Sequence, residues 1–235
     1  TGTRYRLTGF RCNLCSQVYK PIVPEAVAKA PKFAPSAVSN IAITHYYLGA
    51  PFHRIQNLQS NYAIPLADAT QYDVMNTLTK IVLPVFKCLE TLSANSTLMY
   101  YDNTPQKVLS LGKGQATALV TSHGSYWIYL FYTGRHSAGK VVSNLLTERT
   151  SEEPFITMTD AAKANQLSNV DATLLARLII AYCLVHGRRK FYELLELFPM
   201  ECGFVVECIA DVYRHEAHCK QHHYTPAQRL SYHQQ

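Results

Sequence analysis

Thr97-Leu98-Met99-Tyr100-Tyr101-Asp102 is a β-rich run that ends on a carboxylate, and Phe155-Ile156-Thr157-Met158-Thr159-Asp160 repeats the arrangement later in the chain. Aromatic and β-branched residues suit a pleated, half-buried surface, so each run predicts a strand with an Asp at its C-terminal end. Carboxylates placed alike on two strands can converge at one sheet edge. Asp also ends many strands as a turn former, so neither residue decides the matter alone.

Working outward, Val108–Leu111, Ala118–Ser122 and Tyr126–Tyr132 read as further strands, separated by turns containing Gly112, Gly114 and Gly124. Lys140–Leu146 reads as a helix. The second half of the apolar run Leu174–Val185 reads as a buried strand. Phe191–Leu197 and Gly203–His218 read as helices divided by Pro199. Strands, helix, strand, buried strand and closing helices predict an α/β layered domain over residues 95–225, with 226–235 as a tail.

Upstream, residues 1–25 hold Cys12-Asn13-Leu14-Cys15 in a short hairpin or knuckle, and Pro21, Pro24, Pro31 and Pro35 mark a linker. Residues 26–94 form a helical region, a candidate for DNA binding, with helices expected over Ser36–Tyr47, over Phe52–Leu58 and from Ala69 towards Leu92. Asp68 caps the last of these and Pro84 should kink or split it. Phe52–Met75 with a turn at Ala63–Pro65 fits a helix-turn-helix, and two packed bundle helices fit it equally well.

The 235 residues are 48% hydrophobic, enough for one large core or two modest ones. With 16% charged residues, long disordered tails are not expected. A net charge of +6 slightly favours a polyanionic partner. Seven cysteines at irregular spacing do not form a disulfide framework and suit a reducing, cytoplasmic compartment. No signal peptide and no apolar run of roughly 18 residues is present, so no membrane association is expected. The chain opens at Thr1 without an initiator Met and reads as a processed or cut piece, or as the ordered part of something longer.

A third carboxylate stands out. On a helix, Val205, Ile209, Val212 and Tyr213 form one stripe, and Glu216 falls near its middle, while Glu207, Asp211 and Arg214 lie opposite. A carboxylate facing a core must be paired, protonated or metal-bound; the plain alternative is an ion pair with Lys220, four residues on. Asp102, Asp160 and Glu216 together would suit two Mg2+ or Mn2+ ions, which prefer oxygen ligands. Two such ions about 4 Å apart can serve both the attacking and the leaving oxygen of a phosphodiester.

Several segments resemble the insertion sequence sixty-six family of transposases. Tyr100-Tyr101-Asp102-Asn103-Thr104-Pro105 followed by Val108-Leu109 is similar to the family's first-aspartate motif, and Gly124, Trp127 and Tyr129 match its Gly-x-x-Trp-x-Tyr strand. Asp160 stands where the second aspartate is expected. His186-Gly187-Arg188-Arg189-Lys190-Phe191 is similar to a His-x-Arg-Arg-x-Phe motif, and Tyr213-Arg214-His215-Glu216 resembles the Tyr-x-x-Glu stretch carrying the catalytic glutamate. The similarity reaches back through His45–Arg54 to Cys12-x-x-Cys15.

The resemblance implies an RNase H-like (retroviral-integrase-like) mixed sheet flanked by helices, and magnesium-dependent cleavage of transposon ends followed by strand transfer to target DNA. It implies that Asp102, Asp160 and Glu216 hold the metal and that His186, Arg188 and Arg189 lie along the DNA backbone, where the planar Arg fork suits phosphate. It further implies a homo-oligomer on paired ends, with accessory proteins of the element as candidate partners, in the bacterial cytoplasm at the nucleoid. The chain departs from the family at Asn103, where an acidic residue is usual, and at Ala161-Ala162, where the family has Gly-Tyr. Those departures keep a catalytically decayed or domesticated DNA-binding protein as the alternative.

Three competing signals remain. Cys12 and Cys15 are half a tetrahedral zinc site, which would need ligands from upstream of Thr1. Gly134-Arg135-His136-Ser137-Ala138-Gly139-Lys140-Val141 nearly spells a P-loop, but Val141 replaces the Ser or Thr that would bind magnesium, so an NTPase ranks third. His215, His218, Cys219, His222 and His223 form a dense cluster in which 215, 218, 219 and 222 have the spacing of a soft-metal site on one helical face, but it reads more simply as an exposed helix end.

Overall fold

The computed structural model describes Thr3 and residues 5–234. The chain forms two compact units that meet in sequence between Phe86 and Lys87.

The first unit opens with a two-stranded antiparallel hairpin, β1 (Phe10–Arg11) and β2 (Val18–Tyr19). Its turn carries Cys12 and Cys15, closed by the Cys12 N–H donating to Gln17 O at 2.8 Å. After the short α1 (Glu25–Ala28), α2 (Pro35–Ala42) starts on a proline, whose missing N–H costs nothing in a first turn. It runs on into a wider turn over Ile43–Tyr47. Helices α3 (Phe52–Asn61) and α4 (Asp68–Ala94) follow. Ile41, Ile55 and Met75 are the buried apolar residues here, and buried Gln71 donates to Leu66 O at 2.9 Å, tying down the α3–α4 connection. Pro84 lies within α4 without splitting it.

The second unit is built on a five-stranded sheet, with β3 (Leu98–Val108), β4 (Gly112–His123), β5 (Tyr126–Gly134), β6 (Phe155–Thr159) and β7 (Leu178–Tyr182) in the order β5-β4-β3-β6-β7. β3, β4 and β5 form an antiparallel meander, whereas β6 and β7 run parallel to β3. This mixed sheet flanked by helices has the RNase H-like order. Met99, Tyr101, Leu119, Leu130 and Phe155 alternate onto one buried face. Helix α5 (Ala138–Leu146) packs its fully buried Ala138 and Val142 there. On the opposite face Trp127, Tyr129 and Phe131 are exposed.

Four expectations change. β3 does not end at Asp102 but continues to Val108, absorbing the start of the separate strand expected at Val108–Leu111. β7 is an edge strand paired only with β6, and its residues are half-buried or exposed. The helix expected from Phe191 begins at Leu184 instead, as α7 (Leu184–Glu193), because β7 has already stopped at Tyr182. The tail folds as α9 (Pro226–His233), which packs on α8 (Pro199–Gln221) and starts with a full capping box from Thr225 and Gln228.

Arg149 fastens the link from α5 to β6. Its guanidinium donates to the carbonyls of Ala94, Ser96 and Glu153, each at 2.8 Å, and lies 4.3 Å from the centre of the Phe155 ring. Burial, with Arg177 nearby, lowers its pKa. Lysine cannot reproduce this fork over an aromatic ring. Arg149→Lys should therefore cost about 2 kcal/mol in chemical denaturation, and an unchanged midpoint would show that the three carbonyls are satisfied without it.

Candidate active site

Asp102 and Asp160 sit side by side. The parallel pairing of β3 with β6 ends at Tyr100↔Met158, so two residues further along each chain the aspartates share one level. Asp160 is the first residue beyond β6, while Asp102 is carried on where β3 keeps only β4 as a neighbour. Strand alternation puts Asp102 on the face away from α5, with Tyr100. Both aspartates line a cavity of about 210 Å³ together with Tyr100, Val120, Met158, Cys183 and His186.

Asn165 holds the pair together. It ends a short helical turn, Lys163–Asn165, and is 2% exposed. Its Nδ2 donates to Asp160 Oδ1 and reaches Asp102 Oδ1 at 3.5 Å. Its backbone carbonyl accepts from the Tyr101 hydroxyl at 2.9 Å. Burial, reinforced by Tyr182, pushes the Tyr101 pKa up to about 12, so this hydroxyl stays a donor at any physiological pH. The Asn165 Oδ1 is buried without a partner.

The donors fall unevenly on the carboxylates. Asp102 Oδ1 also takes the Asn103 N–H at 2.8 Å, and Asp160 Oδ1 takes the Ala162 N–H at 3.0 Å. Among the described residues no donor reaches either Oδ2, and no Lys, Arg or His pairs with either carboxylate. Two neighbouring negative charges repel unless something positive sits between them. Two carboxylates that line one cavity, each with an oxygen free of donors, fit a hard divalent cation of the Mg2+ or Mn2+ type.

Glu216 is not among the residues lining this cavity. It lies half-buried on α8, held by Arg229 at 3.1 Å, Lys220 at 3.7 Å and His233 at 3.6 Å. The stripe reading placed it on an inward side, but what covers it is α9, and the expected Lys220 alternative is present as one of three partners. Val212 and Tyr213, assigned to that stripe, are 39% and 44% exposed.

His186 stands in the first turn of α7 and lines the aspartate cavity, its Nδ1 buried without a partner. Arg188 lies 5.3 Å from the Tyr192 ring centre, and Arg189 is exposed. Neither forms an ion pair among the described residues. Cys12 and Cys15 are free thiols, and hydrogen bonds from the Cys15 and Leu14 backbone lower the Cys12 pKa. In the P-loop-like turn the Ala138 N–H at the start of α5 already donates to Asn103 Oδ1 at 3.1 Å.

Sequence reasoning missed Asn165 and Cys183. Asn165 follows Asp160 by five positions in an irregular stretch with no periodicity, and the one available signal is an amide close in sequence to a proposed metal ligand.

Residues 32–235 match the family model described as Transposase IS66 family. Comparison with curated proteins gave no match. Among the described residues no helix is long and apolar enough to cross a membrane.

Proposed function

Because this chain belongs to the IS66 family of transposases, we propose that Asp102 and Asp160 are the metal-holding carboxylates of a DNA-cleaving site. The observation that carries this reading is a pair of carboxylates lining one cavity whose donors all fall on Oδ1, leaving each Oδ2 without one. When bound, Mg2+ would activate the attacking water or 3′-hydroxyl and stabilise the leaving oxygen of the phosphodiester. The chain's own contributions are positional. Asn165 keeps the two carboxylates together, and the buried Tyr101 hydroxyl keeps Asn165 in place. His186 borders the space where the scissile phosphate would lie, and Arg188 and Arg189 extend along α7 as phosphate-facing cations. Partners in this reading are transposon ends and target DNA, engaged by a homo-oligomer.

Glu216 has no part in this proposal, since Arg229, Lys220 and His233 already surround its carboxylate. Its engagement favours a second reading, a DNA-binding protein of the same fold that does not cut. The two readings separate in one assay. Supercoiled DNA is incubated with the protein in Mg2+, Mn2+ or EDTA, and binding is followed in parallel. Nicking that requires the metal supports the cleavage site; DNA binding with no nicking in any metal supports the second reading.

Asn165→Ala should destabilise the protein by about 2 kcal/mol in EDTA, the worth of a hydrogen bond to charged groups. Saturating Mn2+ should close most of that gap, because the ion takes over the task of holding the carboxylates. A gap of the same size in Mn2+ would mean that Asn165 serves packing alone.

A further inference from the structure

Helices α8 and α9 bring three different metal-ligating groups to one spot, none of which lines the aspartate cavity. A carboxylate oxygen of Glu216, the thiol of Cys219 and a ring nitrogen of His233 lie within 4.8 Å of one another. Glu216 and Cys219, three residues apart, are neighbours on one face of α8. His233 comes from the last turn of α9. Cys219 is a fully buried free thiol.

The spacing suits a shared ion. His233 Nε2 lies 3.6 Å from Glu216 Oε2. Ligand atoms bonded tetrahedrally to zinc at about 2.0–2.3 Å stand roughly 3.3–3.8 Å apart. The Glu216 carboxylate is also divided in its contacts. Oε1 takes Arg229 at 3.1 Å and Lys220 at 3.7 Å, whereas Oε2 faces His233. The two cations thus hold the carboxylate through Oε1 and leave Oε2 for another partner.

Aromatic contacts fix α9 against α8 at this point. The His218 and Tyr232 rings stack at 4.8 Å, and His215 meets Tyr232 edge-on at 5.2 Å.

We propose that Glu216, Cys219 and His233 form a binding site for a divalent transition-metal ion of the zinc class, with a fourth position open to water. A thiolate and a carboxylate supply two negative charges that balance the ion. The thiol and imidazole favour Zn2+ or Co2+ and disfavour Mg2+, so the site differs in chemistry from the aspartate pair. The ion would staple α9 to α8.

The test is a Co2+ titration of the full chain carrying Cys12→Ser and Cys15→Ser, which removes the other close thiol pair. Tetrahedral cobalt with one thiolate should give a sulfur-to-metal charge-transfer band that saturates at one equivalent and disappears when Zn2+ displaces the cobalt. Cys219→Ser should abolish the band, and His233→Gln should weaken binding roughly tenfold or more. Zn2+ should raise the melting temperature by roughly 5 °C, and Mg2+ should not. Absence of the band, or a band that survives Cys219→Ser, overturns the proposal. Should the buried Cys219→Ser variant fail to fold, the surface variant His233→Gln decides: full-strength cobalt binding there overturns the site, and weakened binding supports it.

Discussion

Asp102→Asn should abolish metal-dependent DNA nicking, by roughly 10³-fold or more, and leave the fold intact. The side chain is exposed, so little packing depends on it. Asparagine keeps its shape, and an amide oxygen can still accept the Asn103 N–H that Asp102 Oδ1 accepts at 2.8 Å. What the substitution removes is one of two adjacent negative charges, and with it most of the attraction for a divalent ion. Asp160→Asn should fall to the same residual level. The double variant should be no worse than either single one, because groups that act as a unit fail together. The measurement is nicking of supercoiled DNA with Mn2+, read beside a melting curve for each variant. Undiminished nicking by a folded Asp102→Asn protein would remove Asp102 from the site.

The two strands that carry this pair were legible because their alternation is strong. Met99, Tyr101 and Phe155 face a buried layer, and β-branched or aromatic neighbours fill the other positions. The continuation of β3 was not legible. Thr104-Pro105-Gln106-Lys107 has no apolar alternation and contains a residue that breaks ladders. The structure gives the reason: beyond Tyr100, β3 keeps only β4 as a partner, so Pro105, opposite Gln115, sits on an edge where a missing N–H is tolerated. Asp102 is consequently presented by an edge ribbon, not by a strand end.

Glu216 shows a different limit. The helical stripe marked an inward-facing carboxylate, and it is half-buried as that pattern requires. A stripe says that something covers a residue, not what does. Here the cover is α9, from a segment read as a tail, and it brings Arg229 and His233. Asn165 illustrates the opposite failure. Its importance comes from a tertiary approach between an irregular turn and two strands, and no local pattern encodes that.

The second large effect is expected at an uncharged position. Gly139 is the second residue of α5, and a Cβ built there would stand 2.0 Å from the Gln166 carbonyl oxygen and 2.7 Å from its carbon. Those atoms are backbone, so they cannot swing aside as a side-chain tip could. The segment is also clamped to α5 by Ser143, whose hydroxyl donates to Gly139 O at 2.7 Å and accepts the Ser168 N–H at 2.9 Å. Gly139→Ala must therefore push residues 165–166 outward, at a cost of about 3 kcal/mol, the upper part of the usual range for overpacking. For a unit of this size that corresponds to a melting temperature lower by on the order of 10 °C. Displacing Asn165 also loosens its hold on Asp102 and Asp160, so Mn2+ affinity should fall roughly tenfold as well. Gly187→Ala supplies the contrast. Gly187 lies within α7 with open space where a Cβ would go, so alanine there should stabilise by about 0.5–1 kcal/mol through helix propensity alone. Calorimetry on the two variants distinguishes crowding from propensity. If Gly139→Ala melts near the parent temperature and binds Mn2+ normally, the 165–166 turn is free to move and Asn165 does not set the geometry of the pair.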